Sequence, residues 1–114
     1  VSNHQFYLAA RPFAERNPAV ISTVIGEIRD IGRWVEANPD QATEQVAPLL
    51  GLSREITRKA VIRQGYGARP ITPEVVRAQQ RIADTFAELR LIPRKLVIQD
   101  AVWAAPKSIA QYPE

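Results

Sequence analysis

At 114 residues, with 46% apolar and 24% charged side chains, the chain has the proportions of one globular domain, which excludes disorder and leaves no room for a second core. The absence of cysteine excludes a disulfide framework and any thiolate metal site. A formal charge of +3 and a pI near 9.7 are a mild basic excess, spread without a run of like charges, so weak attraction to anions follows and a nucleic-acid footprint does not.

Residues 5–10 (QFYLAA) are apolar and partly aromatic, and read as a short buried strand ahead of Arg11-Pro12. Pro12 opens a helical turn through Arg16. Asn17-Pro18 is a helix start, in which Asn17 caps and Pro18 has the φ of a first helical position. Ile21, Val24, Ile25, Ile28, Ile31 and Val35 come next at spacings of three and four, which predicts an amphipathic helix of about five turns. Asn38-Pro39 repeats the start signal for a helix carrying Ala42, Val46 and Leu49, closed by Gly51. Pro48 is expected to kink or break it, because its ring clashes with the carbonyl of Glu44 and it lacks an N–H.

Ser53 caps the next predicted helix, with Ile56, Ala60 and Val61 facing inward. Residues 64–71 (QGYGARPI) form a loop on the strength of two glycines and a proline. Thr72-Pro73-Glu74 starts a helix to about Leu89, with Val75, Ile82, Phe86 and Leu89 on one face and Val76 and Ala83 beside them. Beyond Pro93, residues 95–99 are extended, Asp100 caps a last turn, and residues 104–114 read as a loose tail. The fold class is therefore mainly α with one or two short strands. A lone strand leaves its backbone groups unpaired, so this piece is expected to pack against structure contributed elsewhere.

Little here carries reaction chemistry. The single histidine, His4, has no nucleophile elbow to serve, and it does not make a zinc site with scattered carboxylates. Gly65 and Gly67 lack the flanking strand and the lysine of a phosphate loop. Glu27 and Asp30 share a polar helix face, where a solvated surface is the plainer reading. The chain is read as a non-enzyme with no cofactor and no metal. It begins with Val1 and contains no methionine, which reads as a piece of a longer protein with any export signal upstream.

Two readings of binding remain. Residues 47–63 (APLLGLSREITRKAVIR) have the outline of a helix-turn-helix, which makes a small DNA-binding regulator the alternative. Against it, the inward position six residues after Gly51 is the polar Thr57, with Ile56 one place early, and Pro48 interrupts the first helix. A helix–loop–helix corner with a solvated basic face is preferred, and no nucleic-acid partner is expected. The second candidate is the cluster Ser2, Asn3, His4, Gln5, Phe6 and Tyr7, which sets hydrogen-bonding groups beside aromatic ones and suits an anionic organic ligand with an apolar tail. The plain reading is that polar residues precede most strands and that Phe6 and Tyr7 belong to a core.

Three stretches carry a family resemblance: SNHQFYLAARPFAERNP, WVEANPDQATEQVAPLLGL and, most specifically, GARPITPEVVRAQQRIADTFAELRLIPRKLVIQDAVW. They resemble the C-terminal segment of the aliphatic sulfonate-binding proteins of ABC importers, which are type II periplasmic solute-binding proteins. Taurine- and nitrate-type relatives share the architecture. The resemblance implies part of a two-lobed α/β periplasmic-binding-protein fold, with residues 1–10 as the return strand from the second lobe and 11–103 as the helical C-terminal part of the first. It implies a periplasmic protein that holds a small anionic organosulfonate reversibly and passes it to an ABC permease. The ligand-facing residues would be Asn3, His4, Gln5, Phe6 and Tyr7. Without its other lobe the piece is expected to self-associate through its apolar faces.

Overall fold

The computed structural model describes residues 4–104. Five α-helices succeed one another: α1 (Arg11–Arg16), α2 (Pro18–Ala37), α3 (Pro39–Leu50), α4 (Arg54–Arg63) and α5 (Pro73–Glu88), with a terminal 3-10 turn at Ile98–Ala101. They fall into two compact units, one of the residues up to Ala19 together with those from Pro70 onward, the other Val20–Arg69.

Proline sets the helix starts, but the asparagines ahead of two of them act backwards. Asn17 Nδ2 donates to the carbonyl of Phe13 at 3.0 Å, and Asn38 Nδ2 donates to that of Trp34 at 2.9 Å. Each asparagine also donates its backbone N–H to the same carbonyl, at 2.9 and 2.8 Å. The Asn-Pro pair thus closes the last turn of one helix while proline opens the next. The expected capping of α3 by the Asn38 side chain is not made. The reason is local: at φ −133° and ψ 54° Asn38 lies outside the extended region usual for an N-cap. True side-chain caps occur where no helix immediately precedes. Ser53 Oγ accepts from Ile56 N at 3.3 Å, and Thr72 Oγ1 accepts from Val75 N at 3.4 Å.

In the Val20–Arg69 unit, α3 and α4 form a tight antiparallel pair. Gly51, at φ 64°, ends α3 in the left-handed region, and Leu52 N donates to the carbonyl of Ala47 at 3.3 Å. Helix α3 runs through Pro48 to Leu50 without the expected break. Only two residues of helix remain after Pro48, so little of the ladder depends on the missing N–H. The buried residues of the pair are small: Ala42, Thr43 and Ala47 on α3, Thr57 and Val61 on α4. Ile56 and Ala60, expected inside, are exposed, because burial follows the i,i+4 pair Thr57 and Val61. Asp40 with Arg58 (2.6 Å) and Glu44 with Arg54 (3.1 Å) bridge the two helices in the solvent-exposed layer.

In the other unit, α5 packs against the terminal 3-10 turn. Its C-terminus closes with Leu91 N donating to Phe86 O at 2.9 Å around Arg90, whose φ of 58° places a non-glycine residue in the left-handed region. Ala83 is the buried residue of α5.

No strand forms among the described residues. The segment 5–10 has the side chains of a strand but no ladder partner, and every residue from 4 to 10 is exposed, Leu8 at 92%. The mainly helical class stands; the short strands do not form. The expected tail, residues 104–114, lies outside the described residues save for Ala104.

Among the described residues the buried apolar ones are Ala14, Ala42, Ala47, Val61 and Ala83, while Val24, Ile31, Leu49, Ile82, Phe86 and Leu89 are exposed. The amphipathic faces of α2 and α5 are thus covered only in part: Val24 and Ile31 of α2 and Ile82 and Phe86 of α5 are exposed, while Ile21, Ile25, Ile28, Val35 and Val75 are half-buried.

Candidate functional site

The segment proposed from sequence lies immediately before α1. Asn3 falls outside the described residues. His4, Gln5, Phe6 and Tyr7 are all exposed, and the rings of His4 and Phe6 meet with centroids 6.3 Å apart at 51°. Such a contact between i and i+2 is what an extended chain gives, since alternate side chains share a face. The structure therefore brings His4 and Phe6 together and leaves Gln5 and Tyr7 outside that pair. No hydrogen bond joins any of the four to the rest of the described chain.

Immediately after this segment the chain is anchored. The N–H groups of Phe13 and Ala14 both donate to Ala10 O at 3.0 Å, and Arg11 Nη2 donates to the carbonyl of Asp100, tying α1 to the 3-10 turn. The His4–Phe6 aromatic pair thus lies on an extended segment that leads into a short helix fixed to the 3-10 turn. Enclosing an anion needs further donors converging from a second wall.

Sequence reasoning missed Gln80. Its side-chain amide donates to Leu96 O at 2.8 Å and to Asp84 Oδ1 at 2.9 Å, and its carbonyl accepts from Ile98 N at 2.8 Å. A single side chain thus pairs with the extended strip after Pro93 much as a neighbouring strand would. The signal was the Gln79-Gln80 pair inside the family-like block, but composition does not reveal which glutamine turns inward. No group of three or more histidine, cysteine or carboxylate side chains able to hold a metal ion occurs among the described residues. None of the described helices is long and apolar enough to cross a membrane.

No family model matches the chain. Its fold superimposes on a crystal structure of the periplasmic aliphatic sulphonate-binding protein SsuA from Escherichia coli with a TM-score of 0.84 and 30% identity, covering 96% of this chain and 36% of that one. The alkanesulfonate-binding protein SsuA from Xanthomonas axonopodis pv. citri, solved bound to MOPS, matches with a TM-score of 0.76 over 83% of this chain and 33% of its own; at 23% identity that likeness speaks for the fold alone. The fold is that of one segment of a periplasmic binding protein. In sequence, 99 residues (86% of the chain) are 33% identical to a protein of Escherichia coli (strain K12) named as an aliphatic sulfonates-binding protein. The chain is similar in sequence and fold to aliphatic sulfonate-binding proteins, and it spans about a third of the length of those it matches.

Proposed function

We propose that this chain serves as the helical C-terminal part of a periplasmic solute-binding protein that captures aliphatic sulfonates and delivers them to an ABC permease. The observation that carries the reading is that sequence and fold point to the same proteins over nearly the whole chain: 33% identity over 86% of it, and a TM-score of 0.84 over 96% of it. The exposed apolar residues on α2 and α5, Val24, Ile31, Ile82 and Phe86, support it, since a segment of a larger domain leaves apolar surface for the rest of that domain to cover.

A sulfonate is a fixed anion with three acceptor oxygens, so its site needs several donors and an apolar cradle for the alkyl tail. In this reading Asn3, His4 and Gln5 supply donors, Phe6 and Tyr7 supply the cradle, and closure of a second wall removes water from around the anion. Capture is reversible and non-covalent, and no bond is made or broken.

Titration calorimetry with ethanesulfonate and 2-aminoethanesulfonate tests this reading. A chain extended to the length of its relatives is expected to bind one of them, and His4→Ala or Gln5→Ala to weaken binding about tenfold, or roughly 1.4 kcal/mol. No heat with any short sulfonate would overturn the assignment. The 114 residues alone are expected to bind weakly or not at all, and micromolar binding by them would show that the site lies elsewhere in the segment.

A further inference from the structure

The loop between α4 and α5, read from its two glycines and proline, packs closely against α2. Gly32 is the buried residue of α2, and a methyl group added there would lie 2.9 Å from the backbone nitrogen of Gly67, 3.3 Å from its Cα and 3.3 Å from Cβ of Tyr66. Gly67 itself sits at φ 87°, where side chains other than hydrogen are strained. Two glycines far apart in sequence are therefore required at a single contact, one by distance and one by backbone angle.

Two side chains close over this contact. Arg29 Nε, one turn before Gly32, donates to the carbonyl of Ala68 at 2.7 Å in a part-buried setting. Tyr66 Oη donates to the carbonyl of Val61 at 2.8 Å, near the end of α4, and its removal from water pushes the phenol pKa up. The loop is gripped by α2 on one side and by α4 on the other.

We infer that Gly32 and Gly67 form a close-packed latch which, with Arg29 and Tyr66 as positioning residues, makes the 65–68 loop a fixed strap on α2 and not a mobile lid. The chain carries its own control. Gly26 lies on the same helix with nothing within 4 Å of its added methyl group, and Gly65 lies in the same loop with the same freedom. A latch predicts that alanine is tolerated at 26 and 65 and not at 32.

The experiment is backbone 15N relaxation of the 114-residue chain. Residues 65–68 are expected to show order parameters near the roughly 0.85 of a rigid backbone, falling below about 0.6 in Gly32→Ala and unchanged in Gly26→Ala. Rigid-backbone values retained in Gly32→Ala, or an equal loss in Gly26→Ala, would overturn the latch. If Gly32→Ala fails to fold, Arg29→Gln carries the test. Losing its bond to Ala68 is expected to lower the order parameters of 67 and 68 while those of α3 stay unchanged, and no change at 67 and 68 would overturn the role given to Arg29 and with it the strap.

Discussion

The side-chain carbonyl of Gln80 accepts the backbone N–H of Ile98 at 2.8 Å, while its amide nitrogen donates to Leu96 O at the same distance. One residue of α5 thus satisfies two backbone groups of a strip that has no sheet to join. Replacing Gln80 with alanine leaves a part-buried N–H without its acceptor, a change that costs about 1–3 kcal/mol. Gln80→Glu keeps an acceptor for Ile98 but loses the donated bonds and places a second carboxylate beside Asp84, so its penalty should shrink at low pH. Urea unfolding measures both, and an alanine variant as stable as the parent would refute the bridging role.

Thr43 and Thr57 are both fully buried, yet they differ in one bond. Thr43 Oγ1 donates to Pro39 O at 2.7 Å, whereas the hydroxyl of Thr57 has no hydrogen-bond partner among the described residues. Valine has nearly the same shape and a similar helix propensity. Thr57→Val is therefore expected to stabilise the chain by about 1 kcal/mol, and Thr43→Val to destabilise it by about 0.5–1.5 kcal/mol. Thermal or urea unfolding of the two variants should move in opposite directions; a loss of stability in Thr57→Val would contradict the account.

The ionisable groups predict losses of stability at both ends of the pH scale. The Arg58 guanidinium, hydrogen-bonded to Asp40, holds that carboxyl below its ordinary 3.8. Glu74 is held below 4.5 by its own backbone N–H first, then by Thr72 and Arg77. Both carboxylates bind fewer protons folded than unfolded within those windows, so their contribution is present above the ordinary values and is lost as pH falls below them. Tyr66 is raised above 10.0 by desolvation and then by the charge of Glu36, so the folded chain keeps a proton that the unfolded chain gives up, and stability falls as pH rises past 10.0. Stability against pH for Asp40→Asn and Tyr66→Phe should show a shallower acid limb and a shallower alkaline limb respectively.

Exposed apolar residues on α5 lead to the expectation that this segment by itself self-associates. Ile82, Phe86 and Leu89 form an i, i+4, i+7 stripe along α5, and each is close to or more than half exposed, Phe86 at 45%. Sedimentation velocity at rising concentration is expected to show self-association, weakened by Phe86→Glu. A monomer at high concentration, identical for parent and variant, would show that the stripe tolerates water without a partner.

Much of the local structure was legible from residue types. Proline at positions 18, 39 and 73 marked three helix starts, Ser53 capped α4 and Thr72 capped α5, and Gly51 closed α3, because each acts on backbone atoms within a few residues. Hydrophobic spacing showed which faces of α2 and α5 are apolar for the same local reason. The order of elements and the resemblance to sulfonate-binding proteins also rest on sequence.

Tertiary structure decided what those faces and segments meet. It turned Asn17 and Asn38 back onto the preceding helices, buried Thr57 in preference to Ile56, left residues 5–10 without a ladder, and selected Gln80 and Gly32 as contact points. Each of these outcomes depends on atoms distant in sequence or on which way a side chain turns. A one-dimensional pattern of apolar and polar residues carries no distance between such atoms, so their pairing is set only when the chain folds.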